Sequence, residues 1–200
     1  TDIYTLSLHD ALPILASIYY KQRPTWFADT RIVSSDFVSS FPNTYDTIRN
    51  NEAIMRHHLK YPNDIYAPAW KTLEYMTLGD IIKLLHSLKE EDLKKKVAAH
   101  YGIRNLKVFW SYLATLRIMR NLCAHGHKIF DLNLQKSIKA GPLSRVMVND
   151  MHHKLCGVLL VVFYMLHHIS DNRREELRNR LKTLLDKPGT DQFSYIKSVL

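Results

Sequence analysis

Arg120, Asn121 and His125 stand together in the stretch RNLCAH near the middle of the chain. Arginine offers a planar fork of N–H donors that matches phosphate oxygens. Histidine takes up and releases a proton near neutral pH. Asparagine can orient an imidazole or hold a substrate oxygen. The three types together suit the handling of a phosphate ester. On a helix running from Asn105 to His125, Leu106, Phe109, Leu113, Leu116 and Met119 repeat with the helical period and form a core face. Arg117, Asn121 and His125 recur every fourth residue and share a different face, which Arg120 reaches from one position away. The same spacing also describes a solvated face with a histidine at the negative end of the helix dipole. By spacing alone that plainer reading is the commoner one.

Composition narrows the setting. A chain of 200 residues with 46% hydrophobic content can build one real core. A net charge of +9 favours an anionic partner, with nucleic acid first and a membrane surface second. Cys123 and Cys156 both lie in apolar, helix-like stretches, which fits a reducing compartment and a cytoplasmic protein rather than a disulfide framework. The longest apolar run, Gly157–Leu166, is about half of what a bilayer requires, so no membrane association is expected. Residues 1–15 lack the basic start of a secretory signal. Tyr4–Ile14, YTLSLHDALPI, reads residue for residue as the translation of a widely used sequencing adapter. Residues 1–14 are therefore expected to be non-native, residues 15–200 to form a single helical domain, and the native chain to extend past both ends.

The elements that would carry the trio are helices. Leu15–Arg23 suits a helix tail, and residues 23–47, rich in Pro, Ser, Thr and Asp, suit a loop with short helical turns. A helix is expected over Tyr45–Lys60, an extended link with two prolines over Tyr61–Trp70, and helical pattern over Thr72–Leu88, broken near Gly79 with Asp80 as cap. Glu90–Tyr101 reads as an amphipathic helix ended by Gly102, followed by the motif helix from Asn105, closed by Gly126. Val146–Ser170 and Asp171–Asp186 read as two more helices before a turn at Lys187–Gly189. No strand pattern, repeat or low-complexity segment occurs, so the fold class is all-α.

RNLCAHGHKIF resembles the R-N-x-C-A-H signature of the bacterial Abi-like family, abortive-infection proteins of the AbiD/AbiF kind within the wider HEPN superfamily. Pro68–Leu88, PAWKTLEYMTLGDIIKLLHSL, is similar to that family's P-x-W, E and T-x-G-x-[LI] pattern, and Trp110 matches a tryptophan on its motif helix. The resemblance spans about Leu15–Leu200. One departure follows the signature: where the family often has H-H-x-R-x-[WF]-N, this chain has His125, Gly126, His127, Lys128, Ile129, Phe130 and Asp131. Lys128 keeps the charge of the expected arginine but loses its bidentate fork.

The resemblance implies a HEPN-type helical bundle with one long motif-bearing helix. It implies a metal-independent endoribonuclease acting as a toxin in phage defence, with no cofactor and no metal. The RNA's own 2′-OH would attack the adjacent phosphate, with His125 as base or acid and Arg120 stabilising charge on the phosphoryl oxygens. Asn121 completes the catalytic set, and Arg117, His127 and Lys128 are the RNA-binding candidates. A homodimer would bring two motif helices to one composite site. An antitoxin or regulatory RNA is a further partner class. The alternatives are a non-catalytic RNA-binding or RNA-sensing module of the same fold, and an antitoxin-like helical partner.

Other clusters rank lower. His152, His153 and Cys156 have metal-ligand types but no clear fourth ligand. His57, His58, His167 and His168 are expected as polar residues at helix ends, and Trp26, Trp70 and Trp110 as core. The runs Lys94–Lys96 and Arg173–Arg174 are expected on solvated faces. No glycine-rich phosphate loop is present.

Overall fold

The computed structural model describes residues 24–200. The adapter-like stretch and the helix tail over Leu15–Arg23 lie outside the described residues. Within them the chain is all-α: no strand forms, and extended pairing is confined to two isolated bridges, Val33 with Leu88 and Asn133 with Lys154. Residues group into two compact units whose boundary falls after Val97.

The unit ending at Val97 holds α1 (Ser35–Ile48), α2 (Glu52–Lys60), α3 (Ala69–Tyr75), α4 (Leu78–Ser87) and the start of α5 (Glu91–His100). α1 occupies a stretch that its composition presents as loop. Ser34 caps it, its hydroxyl accepting the Phe37 N–H at 3.3 Å. Phe37, Phe41, Tyr45 and Ile48 then form one buried stripe at helical spacing. Pro42 costs the helix a rung but faces solvent, so the stripe survives. The helix expected over Tyr45–Lys60 is divided between α1 and α2, because the Asn51 amide donates to the Ile48 carbonyl at 2.7 Å and Asn51 itself is extended. Thr77, not Asp80, caps α4. The Thr77 hydroxyl accepts the Asp80 N–H and donates to the Asp80 carboxylate at 2.6 Å, leaving Gly79 inside the helix.

α1 packs on α3, on α4 and on the turn Trp26–Ala28. Phe27, Phe41, Tyr45 and Tyr66 meet at tilted and edge-on angles, with ring centroids such as Phe27–Phe41 at 4.9 Å. The Tyr45 hydroxyl accepts the Ala67 N–H at 2.7 Å and lies 2.8 Å from His58 Nε2. Burial pushes the His58 imidazole down, favouring its neutral form.

The second unit, from Ala98, holds the end of α5, α6 (Leu106–Ala124), α7 (Leu155–Ile169), α8 (Asp171–Leu185) and the short α9 (Ser194–Lys197). α7 is apolar all round, with Val158, Val161, Val162, Phe163 and Met165 among its buried residues. Each such side chain removed from water contributes about 1.5–3 kcal/mol. α6, α8 and α9 all pack on this central helix. Among the described residues no helix is long and apolar enough to cross a membrane.

The helix expected over Val146–Ser170 begins only at Leu155. Lys154 is extended, Asn149 has a φ of 53°, and residues 149–153 form a 3-10 turn. The histidines weighed as metal ligands are what hold this turn: His152 Nδ1 meets the Ile138 carbonyl at 2.7 Å and His153 Nδ1 the Leu134 carbonyl at 2.8 Å. Cys156 is buried and its thiol points to the Tyr195 carbonyl at 3.5 Å. Among the described residues no group of three His, Cys, Asp or Glu is arranged around a metal position.

Gly157 fixes how closely this turn lies on α7. A Cβ there would stand 2.0 Å from the Met151 carbonyl oxygen, a backbone atom that cannot swing aside. Gly157→Ala is expected to cost about 1–3 kcal/mol by overpacking. It should lower the melting temperature by several degrees or more, about 4 °C or more per kcal/mol in a unit of this size. Thermal denaturation with an unchanged midpoint would contradict the close approach.

Candidate functional site

α6 begins at Asn105, whose side-chain oxygen accepts the Lys107 N–H at 2.8 Å. Its early turns are buried through Val108, Phe109, Tyr112, Leu113, Thr115 and Leu116. Leu106 and Met119, expected on the same core face, are half-buried. The Tyr112 hydroxyl donates to the Ala140 carbonyl at 2.5 Å, and the Ser111 hydroxyl accepts the Lys139 N–H at 3.0 Å. Burial pushes the Tyr112 phenol far up, so it stays protonated and able to donate. The first half of α6 is thus fixed by packing and by the loop across it.

The second half emerges into solvent. Arg117, Asn121, Cys123 and His125 are exposed, and Arg120 and Leu122 are half-buried. The helix ends in a left-handed cap: Gly126 has a φ of 65°, its N–H donates to the Cys123 carbonyl at 3.2 Å, and the His127 N–H donates to the Leu122 carbonyl at 2.9 Å. His125 is the capping residue, its own N–H bonded to the Asn121 carbonyl at 3.0 Å. His127 is the first residue past the turn, and the His125 and His127 ring centroids lie 6.3 Å apart. Arg120 Nη1 donates to Asn121 Oδ1 at 3.2 Å, joining two members of the trio. Lys128 is exposed on the outgoing strand of chain. The structure therefore brings Arg117, Arg120, Asn121, His125, His127 and Lys128 onto one helix end and its cap.

The charge here differs from the charge on α8. There Arg173 pairs with Glu176, Arg174 with Asp171 and Glu175, Arg178 with Glu175, and Arg180 with Glu176. Among the described residues neither Arg117 nor Lys128 has a carboxylate partner, so their charge is open to an external anion. Cys123 is exposed, yet the desolvation it meets raises its pKa, which disfavours the thiolate.

Residues far along the chain hold the segment after the cap, and helical spacing gives no sign of them. Met119, Ile129 and Leu132 pack against a cluster that includes Leu155, Leu159, Phe163 and Ile196. Phe130 meets Phe193 edge-on at 5.5 Å, and the Tyr195 hydroxyl donates to the Phe130 carbonyl. Phe130, just past the cap, is thus anchored by Phe193 and Tyr195 near the far end of the sequence.

An all-α protein with a basic, histidine-bearing helix end is the class that fold and site define. The family described as Abi-like protein matches residues 3–131, a span that includes the motif, and the chain belongs to that family. Membership ties it to abortive infection, a form of phage defence. No curated protein and no solved structure gives a significant match.

The cap carries a direct prediction. A Cβ at Gly126 would meet no atom within 4 Å, so any cost of substitution there is backbone strain alone. Gly126→Ala should destabilise by about 1–2 kcal/mol, and Gly126→Asn by less, since asparagine tolerates the left-handed region. Equal melting temperatures for wild type, Gly126→Ala and Gly126→Asn would refute the cap.

Proposed function

We propose that this protein is a HEPN-type endoribonuclease that cuts RNA without a metal ion and acts as a toxin in abortive infection. The observation that carries the reading is the cluster of half-buried Arg120 with exposed Asn121 and His125 at the end of α6, with Arg117 and Lys128 beside it. Membership in the Abi-like family supports it.

The chemistry is an internal transesterification. His125 removes the proton from a ribose 2′-OH, and the resulting alkoxide attacks the adjacent phosphorus. Arg120 faces the extra negative charge on the phosphoryl oxygens as the phosphorane forms. The P–O5′ bond breaks, and an imidazolium donates the proton that the 5′-oxygen needs to leave. Products are a 2′,3′-cyclic phosphate and a 5′-OH end. Asn121 steadies Arg120 and the substrate oxygen. Arg117, His127 and Lys128 hold neighbouring phosphates. One motif supplies one well-placed base, and a second copy of the chain supplies the acid when two α6 ends meet about a two-fold axis.

The test is incubation of the whole chain with total cellular RNA in EDTA, followed by mapping of the cut ends. Cleavage is expected to survive chelation and leave cyclic phosphates, with DNA untouched because it lacks the attacking hydroxyl. His125→Ala should slow cleavage by about 10²–10⁴-fold and Arg120→Ala by about 10²–10³-fold, while RNA binding persists. Cleavage that needs a divalent metal, or that survives His125→Ala, overturns the mechanism. RNA that is bound but never cut favours the non-catalytic RNA-sensing reading instead.

A further inference from the structure

The unit ending at Val97 contains a groove of about 480 Å³. His57, Lys60, Tyr61, Asp64, Trp70 and Lys71 are among the residues that line it. Two of its aromatic side chains are open to solvent: Tyr61 is 47% exposed and Trp70 44%. The sequence alone suggested that Trp70 belongs to the core, as Trp26 does at 1% exposure. A tryptophan leaves the core at a cost in apolar burial, so an exposed one beside a groove needs a reason.

Charge decides which ligand suits the groove. Aromatic rings alone would serve a cation or a base equally. The wall, however, carries two lysines against one carboxylate. That carboxylate is already engaged, because Asp64 Oδ2 lies 3.0 Å from Nε2 of His57, a residue only 6% exposed. The Lys60 ammonium stands 5.4 Å from the centre of the Tyr61 ring, so positive charge and an aromatic face are presented side by side. A quaternary or methylated ammonium would be repelled there. A flat, neutral ring joined to a phosphate fits both features, and the volume suits about one nucleotide.

We propose that this groove is a binding site for single-stranded RNA, with a base stacked on Trp70 and adjacent phosphates held by Lys60 and Lys71. The site rests on the reading of RNA as the substrate, and is separate from the residues at the end of α6. It binds RNA whether or not the motif cuts it. Its recognition comes from stacking and charge, so it tolerates different base sequences.

The experiment uses the whole chain carrying His125→Ala, so that the probe stays intact. Binding of a fluorescent, unstructured 12-nucleotide RNA is followed by anisotropy across a salt series. Trp70→Ala should weaken binding by about 10-fold or more, and Trp70→Phe should retain most of the affinity. Lys60→Glu, a change at an exposed position, should weaken binding several-fold and flatten the salt slope by about one unit. A glutamate peptide of equal charge should compete poorly. Circular dichroism reports folding, and if Trp70→Ala does not fold, Lys60→Glu and Trp70→Phe still decide. RNA bound equally well by all the groove variants overturns the groove site and leaves the ribonuclease reading intact. No RNA binding even with an intact groove overturns both. Displacement by the acidic peptide as readily as by RNA overturns nucleic-acid recognition in favour of simple charge.

Discussion

The left-handed turn at Gly126 decides where everything at the end of α6 points. A right-handed residue there would continue the helix or throw the chain in another direction. With a φ of 65°, Gly126 closes two carbonyls of the last turn, those of Cys123 and Leu122, and sends the chain back so that Ile129 and Leu132 rejoin the apolar cluster around α7. His125 is held as the capping residue and His127 just beyond it, which sets their rings 6.3 Å apart. The segment after the cap is in turn held from a distance by Phe193, packed on Phe130, and by Tyr195 of α9, whose hydroxyl donates to the Phe130 carbonyl. A local backbone device and a long-range packing contact therefore position the same few side chains.

Charge is arranged with equal economy. The chain is strongly basic, but much of that charge is locally answered: the arginines of α8 are tied to Asp171, Glu175 and Glu176, and Lys95 to Glu91 and Asp92. Exposed pairs of this kind add little stability, on the order of 0–1 kcal/mol each. Their larger effect is to remove positive field from those surfaces. At the end of α6, Arg117 and Lys128 have no carboxylate partner among the described residues, so their field stays open to a polyanion.

The sequence made some of this legible and concealed the rest for identifiable reasons. The motif helix could be read at both ends, since Asn105 and Gly126 are strong local signals and the apolar residues between them keep one period. α1 was hidden because Ser, Thr, Asn and Pro fill its exposed face, while the stripe of Phe37, Phe41, Tyr45 and Ile48 carries the fold. The opposite error arose at Val146–Lys154, where apolar residues at helical spacing are pulled out of a helix by two histidine-to-carbonyl bonds. Trp70 was placed in the core on residue type alone, which cannot tell a buried indole from an exposed one. The grouping of Arg120, Asn121 and His125 needed no tertiary information, because one helix end carries all three. Their support by residues 193 and 195 did need it, because more than sixty residues of chain intervene.

The most direct measurement of the proposed shared site mixes subunits. Wild-type chain and His125→Ala chain, carrying different tags, are co-expressed, and the mixed dimer is purified by both tags and assayed on RNA in EDTA. A site that takes its base from one copy and its acid from the other predicts a mixed dimer impaired far beyond one half, approaching the doubly substituted dimer. Half-maximal activity in the mixed dimer, or full cleavage by a species that sediments only as a monomer at micromolar concentration, would contradict it.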